Sequence, residues 1–326
     1  MRHLPPHGGK TGNVSGFLIR PMSQTPTLTD RAISPGASLA PVIVAGLVMV
    51  VWGATPVMTK LATAEMPPLV VAMLRTALGG LAALPLLAGL RQPLPRDRKL
   101  FGFLLVSALS GFVVFPVLYT IGQQQTSAMH GGMILAALPI FTGTYAALLD
   151  RTRPSRRWLI GCALALAGEF ALIAFRAGSA GAAAGLFGDL LVLVSALLVA
   201  SGYVAGARLA QLGYKSLAVT LWGIALSAFI ALPVAMLLFV ADGVPAAGWQ
   251  AWTAVLFLAI VTSIVGYIGW YWALAKGGIS RIATIQFFQP ISGLILAAIL
   301  LGEQLTLPLA ASSAVILAGV YLAQRR

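Results

Sequence analysis

Apolar residues in this chain come in runs about twenty long, the length that crosses the hydrocarbon core of a bilayer as a helix. Ten such runs lie at about 39–60, 68–90, 100–122, 128–149, 158–175, 186–207, 217–241, 251–274, 282–301 and 306–323. Backbone amides in hydrocarbon find no water to bond, so spans of this kind must satisfy themselves internally as helices. The predicted fold class is therefore an all-α integral membrane protein with ten transmembrane helices. Composition agrees: 59% of the residues are hydrophobic and 9% are charged, against about 25% charged in an ordinary soluble domain. Ten spans leave almost no chain for a soluble domain.

Prolines inside the runs reveal an internal order. Proline removes the hydrogen bond to the carbonyl four residues back. Pro56 thus frees the carbonyl of Trp52, Pro139 that of Leu135 and Pro290 that of Gln286. At membrane depth such backbone is tolerated only where protein or a wet cavity satisfies it again. The stretch LAALPIFTGTYAALLDRT around Pro139 is an approximate copy of QFFQPISGLILAAILLGEQLT around Pro290. Pro85 answers to Pro233 at a separation of 148, while Pro139 answers to Pro290, and Gly168 to Gly319, at 151. Lys60 and Arg208 sit near the ends of corresponding helices. The chain then divides into a cytoplasmic tail (1–38) rich in Pro, Gly, Ser and Thr and expected to be disordered, a first half (39–176), a linker (177–185) and a second half (186–324). Met22 is a second candidate start, which would make residues 1–21 an upstream extension. Five helices is an odd number, so the halves insert in opposite orientations. Inverted repeats with broken helices are a transporter architecture, with the solute site near the midplane between the halves.

The net charge of +13 raises the question of nucleic acid, and the placement of the charges answers it. With a cytoplasmic N-terminus, the inner segments hold 18 of the 21 Lys and Arg residues, and the outer loops hold only Arg176. That is the positive-inside pattern, with both termini cytoplasmic. No basic stripe lies on a soluble element, so nucleic acid is not expected as a partner. The expected partners are the lipid bilayer and a small-molecule solute. Cys162, the single cysteine, excludes a disulfide within the chain. None of the three histidines has metal-ligand spacing, so no metal is expected. No G-x-x-x-x-G-K-[ST] loop is present, so the chain hydrolyses no nucleotide of its own, and no cofactor is implied. A membrane enzyme acting on lipid-linked substrates would need paired carboxylates or a Ser/His/Asp set at one depth, and none is found. A passive uniporter or channel stays open as an alternative to an exporter.

WGATPVMTK, PPLVVAMLR, SAMHGGMILAALPIFT, GDLLVLVSALL and PISGLILAAILLGE, in this order over about residues 39–324, resemble the drug/metabolite transporter superfamily, specifically its EamA-type ten-helix members. Each motif alone is short and apolar; the ordered set, in duplicate, is specific. The resemblance implies a multi-pass exporter of small organic metabolites, amino-acid-like solutes or drugs in the bacterial inner membrane, working by alternating access around a cavity between the halves. One departure stands out. The family's Gly-Glu after the fourth helix is here Arg151-Thr152, while the second copy keeps Gly302-Glu303.

Candidate site residues follow from depth. Arg75 lies about seven residues inside its helix, where a charge is a site hypothesis by default. It recognises a carboxylate or other anion, or snorkels to the interface, or pairs with Glu65 or Glu169. Trp52 and Tyr203, deep on corresponding helices, are cavity candidates. Gln286 and Gln289 share a face with Gly293 beside a freed carbonyl. Tyr119, Tyr267 and Trp270 are assigned to aromatic belts near helix ends. Glu169, read as the only carboxylate well inside a run, and His130 are candidates for a proton relay, against local hydrogen bonding as the plainer alternative. Pro56, Pro139 and Pro290 are the hinge candidates. Glu303 is read as satisfying exposed amides at a helix turn. Ala310, Ala314 and Ala318 form a small-residue face that could meet the other half or a second copy of the chain in a homodimer.

Overall fold

A computed structural model describes residues 39–90, 93–151, 153–176, 182–277, 285 and 288–324; for Pro139 it describes the backbone only. Among these residues the chain is helical and contains no strand. Eight helices are long and apolar enough to cross a membrane: α1 (Ala40–Thr63), α2 (Pro68–Gly89), α3 (Arg98–Gln125), α4 (Ala128–Leu149), α5 (Arg156–Ala174), α6 (Gly185–Gly206), α7 (Leu217–Asp242) and α8 (Trp249–Trp270). Two shorter apolar helices follow, α9 (Phe288–Leu301) and α10 (Leu307–Ala323). Large apolar side chains such as Phe229, Leu237, Val240 and Ile299 face outward, as lipid-facing surfaces require.

Helix ends are set by local chemistry. Asp97 caps α3, its carboxylate accepting from the amides of Lys99 and Leu100 at 2.9 Å. Ser127 caps α4 by accepting from His130 N–H at 3.1 Å. The helix through α9 stops at Gly302, whose φ of 67° is the left-handed conformation in which glycine ends helices without a Cβ clash. The helix through α4 stops in the same way at Arg151, with φ 52°. These two positions are 151 apart, so the first half keeps the conformation while replacing the residue suited to it.

Small residues bring helices together. Gly161 of α5 lies so close to α10 that a Cβ there would stand 2.6 Å from the Gly319 carbonyl, and the reciprocal Cβ would stand 2.7 Å from the Gly161 carbonyl. On α10 the packed face carries Leu309, Ser312, Ser313, Ile316 and Gly319, whereas Ala314 and Ala318 are exposed. The expected alanine face is thus not the one that packs within the chain. A second close crossing joins α1 to α9, where a Cβ on Gly53 would sit 2.9 Å from the Gln289 carbonyl. Both helices carry an internal proline, and Ser292 Oγ donates to the Met49 carbonyl at 3.0 Å across the crossing.

Four helices depart from regular α geometry at mid-length or near it. α1 is interrupted at Ala54, before Pro56. α4 tightens to a 3₁₀ turn over Leu135–Ala137 before Pro139. There the carbonyl of Leu135, which Pro139 cannot engage, accepts instead from Leu138 N–H. α3 and α8 carry π-helical segments, Ser110–Val114 and Phe257–Val265, and no proline causes the second. Such segments shift the hydrogen-bond ladder by one residue and recur at functional sites.

Candidate functional site

The irregular segments surround one cavity. Its wall includes Trp52 and Thr55 of α1, Arg75 and Thr76 of α2, Phe112 and Phe115 of α3, Leu135 and Leu138 of α4, Tyr203 of α6, Thr262, Ser263 and Tyr267 of α8, and Gln289 of α9. Both halves contribute. About 60 Å³ is open to the centres of water-sized molecules, which is room for a handful of waters or a small ring.

Three wall residues, Trp52, Thr76 and Ser263, are held by carbonyls of the π segments. Trp52 Nε1 donates to the Thr262 carbonyl, inside the π segment of α8, at 3.1 Å. Thr76 Oγ1 donates to the Phe112 carbonyl, inside the π segment of α3, at 2.7 Å. Ser263 Oγ reaches the Leu258 carbonyl five residues back at 2.8 Å. Tyr267 OH donates to Tyr203 OH at 3.3 Å. The Trp52 and Tyr267 rings meet edge to face at a centroid distance of 5.2 Å, and Phe112 lies 6.3 Å from Tyr267. A smaller cavity, lined by Ser107, Gly202, Gly206 and Thr220, lies beyond Phe112, Tyr203 and Tyr267, which border both.

Of the candidates named from sequence, Trp52, Arg75, Tyr203 and Gln289 come together on this wall, and Gln286 lies outside the described residues. Arg75 is 8% exposed, its Nη1 is buried without a hydrogen-bond partner, and it forms no ion pair among the described residues. Snorkelling is therefore corrected. So is pairing: Glu65 instead accepts from Gly248 N–H at 2.6 Å, and both oxygens of Glu169 are buried without a hydrogen-bond partner. Tyr267 is a wall residue rather than a belt residue. Tyr119 is fully buried against Phe115, with ring centroids 5.2 Å apart, and Trp270 packs 5.7 Å from Trp52.

A second polar cluster lies at the Glu303 end of the bundle. Asp189 is fully buried, so Glu169 is not the only carboxylate well inside a run. Asp189 accepts from the Thr126 hydroxyl and meets His130 Nδ1 at 3.4 Å, and Glu169 is within Coulombic range of Asp189. Asp189 escaped sequence reading because it stands four residues from the start of its run, where a carboxylate passes for a helix cap. Glu303 caps α4 from the other half, accepting from Ala128 and Met129 N–H at 2.7 and 2.9 Å. Among the described residues no group of three His, Cys, Asp or Glu could hold a metal ion.

A bundle of apolar helices with outward-facing apolar surfaces, folded around a cavity whose wall takes aromatic, aliphatic and a few polar side chains from both halves, is the arrangement of a membrane transporter. The model of the EamA-like transporter family matches residues 39–174 and again 186–324; the chain belongs to that family. It is 31% identical over 282 residues to "Uncharacterized transporter YdeK" of Bacillus subtilis (strain 168), covering 85% of this chain and 94% of that protein. It is 30% identical over 282 residues to a protein of Salmonella typhimurium named "Probable amino-acid metabolite efflux pump", covering 85% of this chain and 92% of that one. One solved crystal structure superposes with a TM-score of 0.59 over 87% of this chain and 96% of its own at 19% identity, a likeness of fold.

Proposed function

We propose that the chain is a secondary transporter that exports small organic solutes, amino-acid-like metabolites or drugs across the bacterial inner membrane by alternating access. The two five-helix halves, 39–176 and 186–324, insert in opposite orientations with both termini cytoplasmic, and rock about the cavity. The observation that carries this reading is the cavity itself, whose wall takes Trp52 and Arg75 from one half and Tyr203, Tyr267 and Gln289 from the other. The π segments and proline breaks around it supply the points of bending. The charge asymmetry of the loops supports the orientation, and likeness to the Salmonella protein named as an efflux pump supports export. A metabolite and toxicity screen of cells overproducing the protein tests it: altered tolerance or external accumulation of a solute is expected, and no change for any solute class contradicts it.

The cluster of His130, Asp189 and Glu169 favours a further reading, proton coupling. His130 and Asp189, 3.4 Å apart, can pass a proton between them beside the starts of α4 and α6, and Glu169 lies near Asp189 without a hydrogen bond to it. The other polar groups around them are Thr126 on Asp189, Glu303 capping α4, and Lys60, which donates to the Gln124 carbonyl at 3.1 Å. Flux that responds to an imposed pH gradient in the native chain and loses that response in Asp189→Asn supports coupling. Flux indifferent to the gradient removes it.

A further inference from the structure

We infer that the cavity selects organic monoanions, a carboxylate on a flat apolar body, and turns away cations. This rests on reading the cavity as the solute site. The starting point is a charge without a partner. Arg75 is 92% buried by the complement of its exposure, and Nη1 is unbonded. A buried, unpaired ion is strongly destabilising, and arginine does not escape by giving up its proton. A counter-charge must therefore come from somewhere.

Among the described residues the chain does not supply it. There are eight Asp and Glu residues, and none is among the residues lining the cavity. Glu65 and Glu303 cap helices of the opposite half. Asp97 caps α3, and Asp150 ends the helix Leu138–Asp150. Asp242 ends α7, Asp189 is engaged by Thr126 and His130, and Glu169 lies near Asp189. Asp30 belongs to the tail outside the described residues. The repeat adds a second argument. At the spacing of 148 that relates Pro85 to Pro233, Arg75 corresponds to Gly223. The scaffold is duplicated and the guanidinium is not, so symmetry of the fold does not explain it.

The rest of the wall defines the body of the ligand. Trp52, Phe112, Phe115 and Tyr267 offer aromatic surface, and the hydroxyls of Thr55, Thr262 and Ser263 lie among them. A planar carboxylate matches the fork of a guanidinium. A phosphate dianion would need a second cation, and among the described residues no other Lys or Arg lines the cavity. An amine would find neutral oxygens and ring faces, opposed by a fixed positive charge in a medium of low dielectric. A zwitterion falls between the two.

Three probes sharing one phenyl body test this on the full chain in detergent at neutral pH: 3-phenylpropionate, phenylalanine and phenethylamine, measured by equilibrium dialysis. The expected order is 3-phenylpropionate tightest, at least tenfold tighter than phenethylamine, with phenylalanine between. Arg75→Gln should weaken 3-phenylpropionate at least tenfold, and Arg75→Lys should keep the order. Phenethylamine binding as tightly as the acid, or no binding of any probe at millimolar concentration, overturns the inference. The order in the native chain decides even if the variants fail to fold. Counterflow in proteoliposomes separates the two claims. Anion preference without counterflow of 3-phenylpropionate keeps the site and counts against transport, whereas counterflow of phenethylamine without anion preference keeps transport and removes the anion site.

Discussion

Phe112 and Thr262 stand 150 positions apart, and the carbonyl of each, inside a π-helical segment, accepts from a side chain of the first half: Thr76 within that half, Trp52 across the two halves. The spacing is that of the internal repeat. The two halves thus carry the same backbone irregularity at corresponding places, and both donors, Thr76 and Trp52, lie on the cavity wall with Arg75. Thr76→Val keeps the shape of the side chain and leaves the Phe112 carbonyl without its donor. The net loss for one such bond is about 1 kcal/mol. A correspondingly lower unfolding temperature in detergent is expected, and an unchanged one would show that the bond contributes nothing to holding α2 against α3.

The Glu303 end is tied across the halves by carboxylates. Glu303, from the second half, binds two amides at the start of α4, and Glu65, from the first, binds Gly248 at the start of α8. Anions at helix N-termini are favourable through the dipole and the unpaired amides together. Glu303→Ala removes two charge-assisted bonds, about 2 kcal/mol, and should favour a state open at this end. In a Cys162→Ser background, Ser263→Cys on the cavity wall reports it. Faster labelling by an impermeant thiol reagent outside intact cells is expected with Glu303→Ala, and an equal rate would rule out a gating role for the tie.

Arg151 occupies the left-handed position that Gly302 fills in the second half. A side chain there costs roughly 1 kcal/mol. Arg151→Gly should therefore raise stability by up to about that amount. A loss of stability would mean that the arginine makes compensating interactions at the membrane surface.

The inverted arrangement has its own test. Single cysteines at Arg151 and Asp242 should label from opposite sides of the membrane. Labelling from the same side would break the ten-span topology.

Much of the scaffold could be read from sequence because it depends on patterns that repeat. Run length marks the spans, and Pro139 with Pro290 sets the period. Trp52 and Tyr203 could be picked out because depth and repeat position point to the same place. The π segments left no trace, since no residue type requires them: FLAIVTSIV reads as an ordinary apolar helix. With them went Thr76 and Thr262, whose roles depend on where a shifted ladder turns a carbonyl. Asp189 was hidden for a different reason: it passes for a cap near the start of its run, and the partners that give it a role, His130 and Thr126, are about sixty residues away in sequence.

The central claim is that solute passes through the cavity and meets Arg75. The most direct measurement is export of a solute identified by overproduction, compared between the native chain and Arg75→Ala at equal amounts in the membrane. Loss of at least nine-tenths of the flux is expected, since an interaction with a buried guanidinium is worth more than the ~1.4 kcal/mol that a tenfold change represents. Undiminished flux in Arg75→Ala would contradict it.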